Sequence, residues 1–207
     1  MKNRFPLLKA YLGQGRPKHL YTIVHFTLQM VFIMDSKQLR ILRFFLDNPT
    51  REIHLRSLSR ILKISPTWIS TLLPKFKDLL SVHKDTERTM VLIKANRDSL
   101  AFKRLKQSQN LYKLSESGII DLLIEKYHKP EAMVLFGSYA KGEDIEQSDI
   151  DLAVITSRSE NIVLTHFEKK LKRKIKIIEL KKELIESEFK NTLANGVVLY
   201  GYLDVIQ

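Results

Sequence analysis

The sequence predicts an α+β fold in two units. Three observations carry this. Two short amphipathic helical patterns flank the tripeptide Lys63-Ile64-Ser65 and lead into a two-stranded ribbon pattern. The apolar run Ala132–Phe136 ends in Gly137-Ser138. Ten residues then intervene before Asp149-Ile150-Asp151 opens a second apolar run. At 207 residues and 44% hydrophobic content, the chain suits one large or two small domains, each able to bury a core.

The first unit reads in order. Asp35 with Gln38 resembles a capping box, and Leu39, Leu42, Phe45 and Leu46 follow at helical spacing. Asn48-Pro49 ends that helix, and Glu52–His54 suits a short strand. Leu55, Leu58, Ile61 and Leu62 mark a second helix. Ser65-Pro66 supplies an N-cap and first-turn proline for a third, with Ile69, Leu72, Leu73, Phe76, Leu79 and Leu80 on its apolar face. Pro74 removes one helical hydrogen bond, so this helix should kink or shorten. The stretches 81–83 and 89–94 make the ribbon, and three helices with such a ribbon form a winged helix-turn-helix. The outward face of the third helix carries Trp68, Thr71 and Lys75, with Thr67 near its start, and Lys84 and Arg88 lie in the ribbon and its turn.

Charge points the same way. The first 110 residues hold 21 of the 35 lysines and arginines but only 7 of the 23 acids, so this half carries +14 and the remainder −2 of the net +12. That asymmetry suits a polyanion, with DNA the expected partner. A helix-turn-helix also serves dimerisation or protein binding, so a homodimer stays open. There are no cysteines, which excludes disulfides and thiolate metal sites and fits a cytoplasmic setting. Leu20–Met34 is mostly apolar, yet shorter than the roughly 20 residues a bilayer span needs, so no membrane role is expected. Residues 1–33 read either as an extension upstream of a true start at Met34, or as a strand or helix over Tyr21–Ile33 packed on the body.

Asp98 is a candidate cap for a helix from Ser99 to about Gln109. A polar stretch, Lys113–Gly118, precedes a further helix marked by Ile119, Leu122 and Leu123. The expected organisation is therefore an uncertain extension over 1–33, the winged helix-turn-helix over 34–97, a helical connector over 98–129 and a last domain over 130–207.

That last domain carries the chemistry. Gly137 lets the backbone approach a ligand closely. Ser138 opens a short helix stopped by Gly142, and a helix start favours phosphate. Lys141 is a candidate phosphate contact. Asp149 and Asp151 are two apart on a strand, so they share a face, while Ile150 and Leu152 point into the core. Paired carboxylates beside a phosphate cradle suit Mg²⁺ and metal-assisted phosphoryl chemistry.

The segment Leu135-Phe136-Gly137-Ser138-Tyr139-Ala140-Lys141-Gly142, with Ser148-Asp149-Ile150-Asp151-Leu152, resembles the signature of the minimal nucleotidyltransferases of the DNA polymerase beta superfamily. The resemblance runs from about Pro130 to the C-terminus, including Gly196–Gly201. The whole chain is similar to prokaryotic, particularly archaeal, proteins that fuse a winged helix to this domain. The resemblance implies a mixed β-sheet flanked by helices, and Mg²⁺-dependent transfer of a nucleoside monophosphate from a triphosphate, ATP being the expected one, to an acceptor hydroxyl. It implies that Gly137 and Ser138 hold the triphosphate and that Asp149 and Asp151 are catalytic and bind the metals. Related proteins often act as antitoxins on a helical HEPN-type partner, which makes such a protein partner an expectation too.

One position departs from the family pattern. The superfamily usually places a third carboxylate on a later strand, where this chain has Lys176 between Ile175 and Ile177. A lysine there can pair with Asp149 or Asp151 and displace one metal. Glu179 is the nearest acid, but a three-residue offset puts it on the opposite face of a regular strand. The run Lys169–Lys174 reads as a solvated helix end or an anion contact, and the six histidines show no metal-ligand spacing. Two functions remain: the transferase, or a non-catalytic nucleotide-binding transcriptional regulator or antitoxin-like partner-binding protein.

Overall fold

The structure, a computed structural model, describes residues 35–85 and 90–203. The expectations for residues 1–33 and for Arg88 lie outside them.

Helix α1 (Ser36–Asp47) begins on the capping box. Asp35 accepts from the Lys37 and Gln38 amides, and the Gln38 side chain accepts from the Asp35 amide. These bonds satisfy donors that a helix start leaves over. Its buried face is Ile41, Leu42, Phe45 and Leu46, and Asn48 closes it. Strand β1 (Ile53–His54) and helix α2 (Leu55–Leu62) follow. Lys63 then turns the chain with φ 51, a left-handed conformation that crowds any side chain. Ile61, counted in the apolar face, is instead 50% exposed.

Ser65 caps α3 (Pro66–Leu72) through the Trp68 amide, with Pro66 in the first turn. The helix stops at Leu72, and the chain tightens into a 3₁₀ turn over Leu73–Phe76. Pro74 explains this, since it has no N–H to extend the α-helical ladder. Lys75 therefore sits on the turn rather than on the helix. Strands β2 (Leu80–Asp85) and β3 (Met90–Ala95) pair antiparallel, and β1 adds to the outer side of β3. Three helices and this sheet close on one core around Phe45, Leu58, Ile69, Phe76 and Ile93.

Helix α4 (Leu100–Ser117) departs from the sequence expectation at both ends. Ser99, not Asp98, is its N-cap, and it runs past Gln109 to Ser117 without a break. Its middle buries Lys106, Gln107, Ser108 and Asn110. A face that is buried but polar leaves no mark in an apolar periodicity.

Helix α5 (Ile119–Lys126) leads to a four-stranded sheet in the order β6-β5-β4-β7. Strand β4 (Ala132–Phe136) runs antiparallel to β5 (Ile150–Ile155) and to β7 (Val197–Gly201), while β5 and β6 (Ile175–Leu180) are parallel. Helices α6 (Gly137–Lys141), α7 (Thr165–Leu171) and α8 (Ser187–Ala194) complete the unit. The sheet is thus mixed and flanked by helices. One face packs Met133, Leu135, Ile150, Leu152 and Ile175 against Ile119, Leu123, Tyr139 and Leu171. The other packs Val134, Phe136, Ala153 and Ile155 against Leu193 and Phe189.

The two units meet on α4. Lys106 Nζ donates to Leu46 O at 2.9 Å and lies 3.0 Å from Asp144 Oδ2, both side chains being almost wholly buried. Asn110 Nδ2 donates to Asp144 Oδ1 at 2.7 Å. Thr50 donates through its amide and hydroxyl to Glu146, and Gln109 and Lys113 donate to Asp47. Breaking one partner of a buried pair leaves an uncompensated charge. Lys106→Met should cost about 3 kcal/mol or more of stability in urea unfolding, whereas Lys103→Met, at the half-exposed pair with Glu143, should cost no more than about 1 kcal/mol.

Candidate active site

Strand β4 ends at Phe136, and Gly137 turns the chain with φ 73. In the antiparallel register Asp151 stands opposite Phe136. A Cβ built on Gly137 would lie 2.6 Å from Asp151 Oδ2. The left-handed backbone favours glycine here, and the tip of the Asp151 carboxylate stands in the space a side chain would use. The sequence reading gave that space to a ligand; the structure places a side chain of the same chain in it.

Asp149 immediately precedes β5 and shares the Asp151 face, while Ile150 and Leu152 are buried on the other. Both carboxylates are half-buried. Burial pushes the Asp151 carboxyl up, the Lys176 ammonium pulls it down and Asp149 adds to the rise, leaving it above the ordinary range. Ser138 lies half-buried in the first turn of α6 and Lys141 exposed at its far end, where its charge acts on Glu143. Gly142 caps the helix with φ 69.

A five-residue helix has little to hold it, and α4 supplies the rest. Gln107 Nε2 donates to Ala140 O at 2.6 Å and Asn110 Nδ2 to Tyr139 O at 2.9 Å. A helix end leaves such carbonyls short of intrahelical donors; the Tyr139 carbonyl has only a long bond from the Gly142 amide, at 3.4 Å. A Cβ on Gly142 would collide with the Lys103 carbonyl of α4, so the helix end and α4 are in direct backbone contact. Sequence reasoning missed this set. The only signal was a run of polar residues, Lys106 to Asn110, inside a long helix.

Lys176 is brought to the carboxylates. The β5–β6 register runs unbroken from Ile150↔Ile175 to Ile155↔Leu180, so Asp151 faces Lys176 directly. Lys176 Nζ lies 2.5 Å from Asp149 Oδ2, its side chain 65% exposed. That hydrogen bond holds the lysine above its usual range. Glu179 lies on the opposite face, where Tyr127 and Ser159 hydroxyls and the Glu160 amide all donate to it. Burial raises its carboxyl, and the three donors outweigh that and hold it below the ordinary range. Two carboxylates are the donors at the site, and among the described residues no group of three or more His, Asp or Glu gathers to hold a metal.

The basic run is partly internal. Lys170 donates to the Glu116 and Ser117 carbonyls at the end of α4, Lys174 pairs with Glu168 and Arg173 reaches Asp144 and the Glu146 carbonyl. In the first unit, Thr67, Thr71, Lys75 and Lys84 are exposed, and the Thr71 hydroxyl donates to Thr67 O. Trp68, expected to face outward, is half-buried against the core and lies under the Lys37 ammonium, 5.3 Å from its ring centre. An indole has too much apolar area to leave in water when a neighbouring core can take it.

Compared with known proteins, residues 119–202 match the family model described as polymerase beta, nucleotidyltransferase. The match starts at α5, ends just after β7, and so spans both carboxylates and Lys176. It supports nucleotidyl transfer as the general activity of this segment. No curated protein and no solved structure matches the chain.

The packing of Asp151 on Gly137 is testable without any ligand. Gly137→Ala should cost about 1–2 kcal/mol from the left-handed backbone alone, and more because the methyl displaces the carboxylate. In an Asp151→Ala background the cost should fall back toward the backbone part. Urea unfolding of the four proteins measures that coupling, and additive losses would place the carboxylate elsewhere.

Proposed function

We propose that the second unit transfers a nucleoside monophosphate from a nucleoside triphosphate to an acceptor hydroxyl, and that the first unit is a winged helix-turn-helix that contacts DNA. The observation that carries the first half is the Asp151 carboxylate held against the Gly137 backbone, with Asp149 on the same face. Such a pair is the donor set that Mg²⁺ accepts when a substrate phosphate completes its shell. Asp149 and Asp151 would hold the ion, which supplies charge neutralisation for the triphosphate. Gly137 and Ser138 lie where the backbone of the turn can face the phosphates, with Lys141 a further candidate contact. The acceptor oxygen attacks the α-phosphorus, the bond to the β-phosphate breaks with pyrophosphate leaving, and the hydroxyl proton passes to solvent.

Incubation with labelled ATP, CTP, GTP and UTP plus Mg²⁺ tests this, ATP being the expected donor. Label transfer should occur with the unaltered chain and vanish in Asp149→Asn with Asp151→Asn. Equal transfer by both would sink the assigned site.

A second reading rests on one observation, the ammonium of Lys176 on Asp149. On that reading the unit binds nucleotide, or a partner such as a HEPN-type protein, without turnover. Mg²⁺-dependent ATP binding with no transfer by the unaltered chain would favour it, and transfer gained by Lys176→Asp would locate the lesion.

For the first unit, the support is the exposed Thr67, Thr71, Lys75 and Lys84 on a basic half-chain. Lys75→Ala should lower duplex DNA affinity and reduce the slope of log affinity against log salt by about one. An unchanged slope favours a dimerisation or protein-binding role.

A further inference from the structure

We propose that Lys176 is a built-in second cation of the site, so that this chain takes one divalent ion with its triphosphate where a third carboxylate would admit two. The inference rests on the nucleotide-binding reading above and concerns the same carboxylates.

The position of Lys176 follows from backbone geometry and not from a side-chain choice. Strands β5 and β6 are parallel and paired without a bulge over six residue pairs. Asp151 therefore faces Lys176, and alternation puts Lys176 on the face of both aspartates. Its neighbours Ile175 and Ile177 pack into the core on the other side. Glu179, the next acid along the strand, stands on the opposite face and is tied by the Tyr127 and Ser159 hydroxyls and the Glu160 amide.

The ammonium is also already engaged. Lys176 Nζ lies 2.5 Å from Asp149 Oδ2, while the exposed stem leaves the lysine room to stay there as a ligand enters. The charges at the site are two carboxylates and one ammonium. One divalent ion turns this cluster from net negative to net positive, the sign a triphosphate requires. A second ion would sit beside the ammonium, share the Asp149 oxygen that the lysine occupies, and have no third carboxylate to bind. Like-charge crowding and a missing ligand both act against it. Arg173 and Lys174 directly precede this strand and add no acid to help.

The test counts ions rather than turnover. The full chain is equilibrated with a non-hydrolysable ATP analogue and Mn²⁺, and bound Mn²⁺ and bound analogue are measured by electron paramagnetic resonance and equilibrium dialysis. The unaltered chain should hold one Mn²⁺ per bound analogue and Lys176→Asp two. Lys176→Met, which removes the charge but adds no ligand, should lower the Kd of the first ion severalfold less than Lys176→Asp does. Circular dichroism confirms that each variant is folded, as expected at a side chain this exposed. Two Mn²⁺ on the unaltered chain with analogue bound would overturn the inference alone, as would one Mn²⁺ on Lys176→Asp. Failure of the unaltered chain to bind the analogue would overturn the nucleotide-binding reading and this inference with it.

Discussion

Lys106 carries an ammonium to a place that water scarcely reaches, and a charge there must be paired or lose its proton. Burial does lower its proton affinity, against the pull of Asp144. It is held by the Leu46 carbonyl, at the end of α1, and by Asp144, in the loop that follows α6. The three elements it joins are the first helix of the N-terminal unit, the long connecting helix, and the loop that follows the short helix opened by Gly137 and Ser138. Asn110 completes the arrangement by donating both to Asp144 and to the last turn of α6. The site helix is five residues long and would be marginal alone. Its position is therefore set from α4 as much as from the sheet.

This is also where the sequence was hardest to read. The capping box at Asp35, the Ser65-Pro66 helix start, the stop at Pro74 and the runs Ala132–Phe136 and Asp149–Ile155 all depend on local chemistry, and all were legible. So was the placement of Lys176, because strand alternation is a strict period of two. What failed depended on partners far along the chain. Helix α4 was cut short because its buried face is made of Lys106, Gln107 and Asn110, whose partners lie 29 to 60 residues away. Trp68 was turned outward because helical spacing alone does not say that Lys37 and the core lie beside it. Asp144 passed unnoticed, and Arg173 was read only as part of a solvated helix end or an anion contact.

The register around Gly137 shows how a short motif comes to need its residues. Asp151 faces Phe136 in the ladder, one residue before the turn, so its carboxylate falls on the turn's own backbone. Any side chain at Gly137 would contest that space. The glycine and the second aspartate therefore share one space, though a loop separates them in sequence. The parallel pairing of β6 then decides what completes the group, and in this chain it delivers an ammonium. A site built from two acids and one base has a smaller net charge than a site of three acids, and its appetite for divalent ions falls accordingly.

The connector thus behaves as a strut. Separating the units would mean parting Lys106 from Leu46 or from Asp144, and also undoing the Thr50–Glu146 and Asp47 contacts. Opening the joint would rehydrate both ions, which offsets the loss of their attraction, so its strength lies in the number of contacts that must part together. The first unit and the loop behind the site helix are thereby tied to the same element, α4. Where a flexible linker would leave the two units independent, this joint couples the placement of one to the other through buried polar contacts.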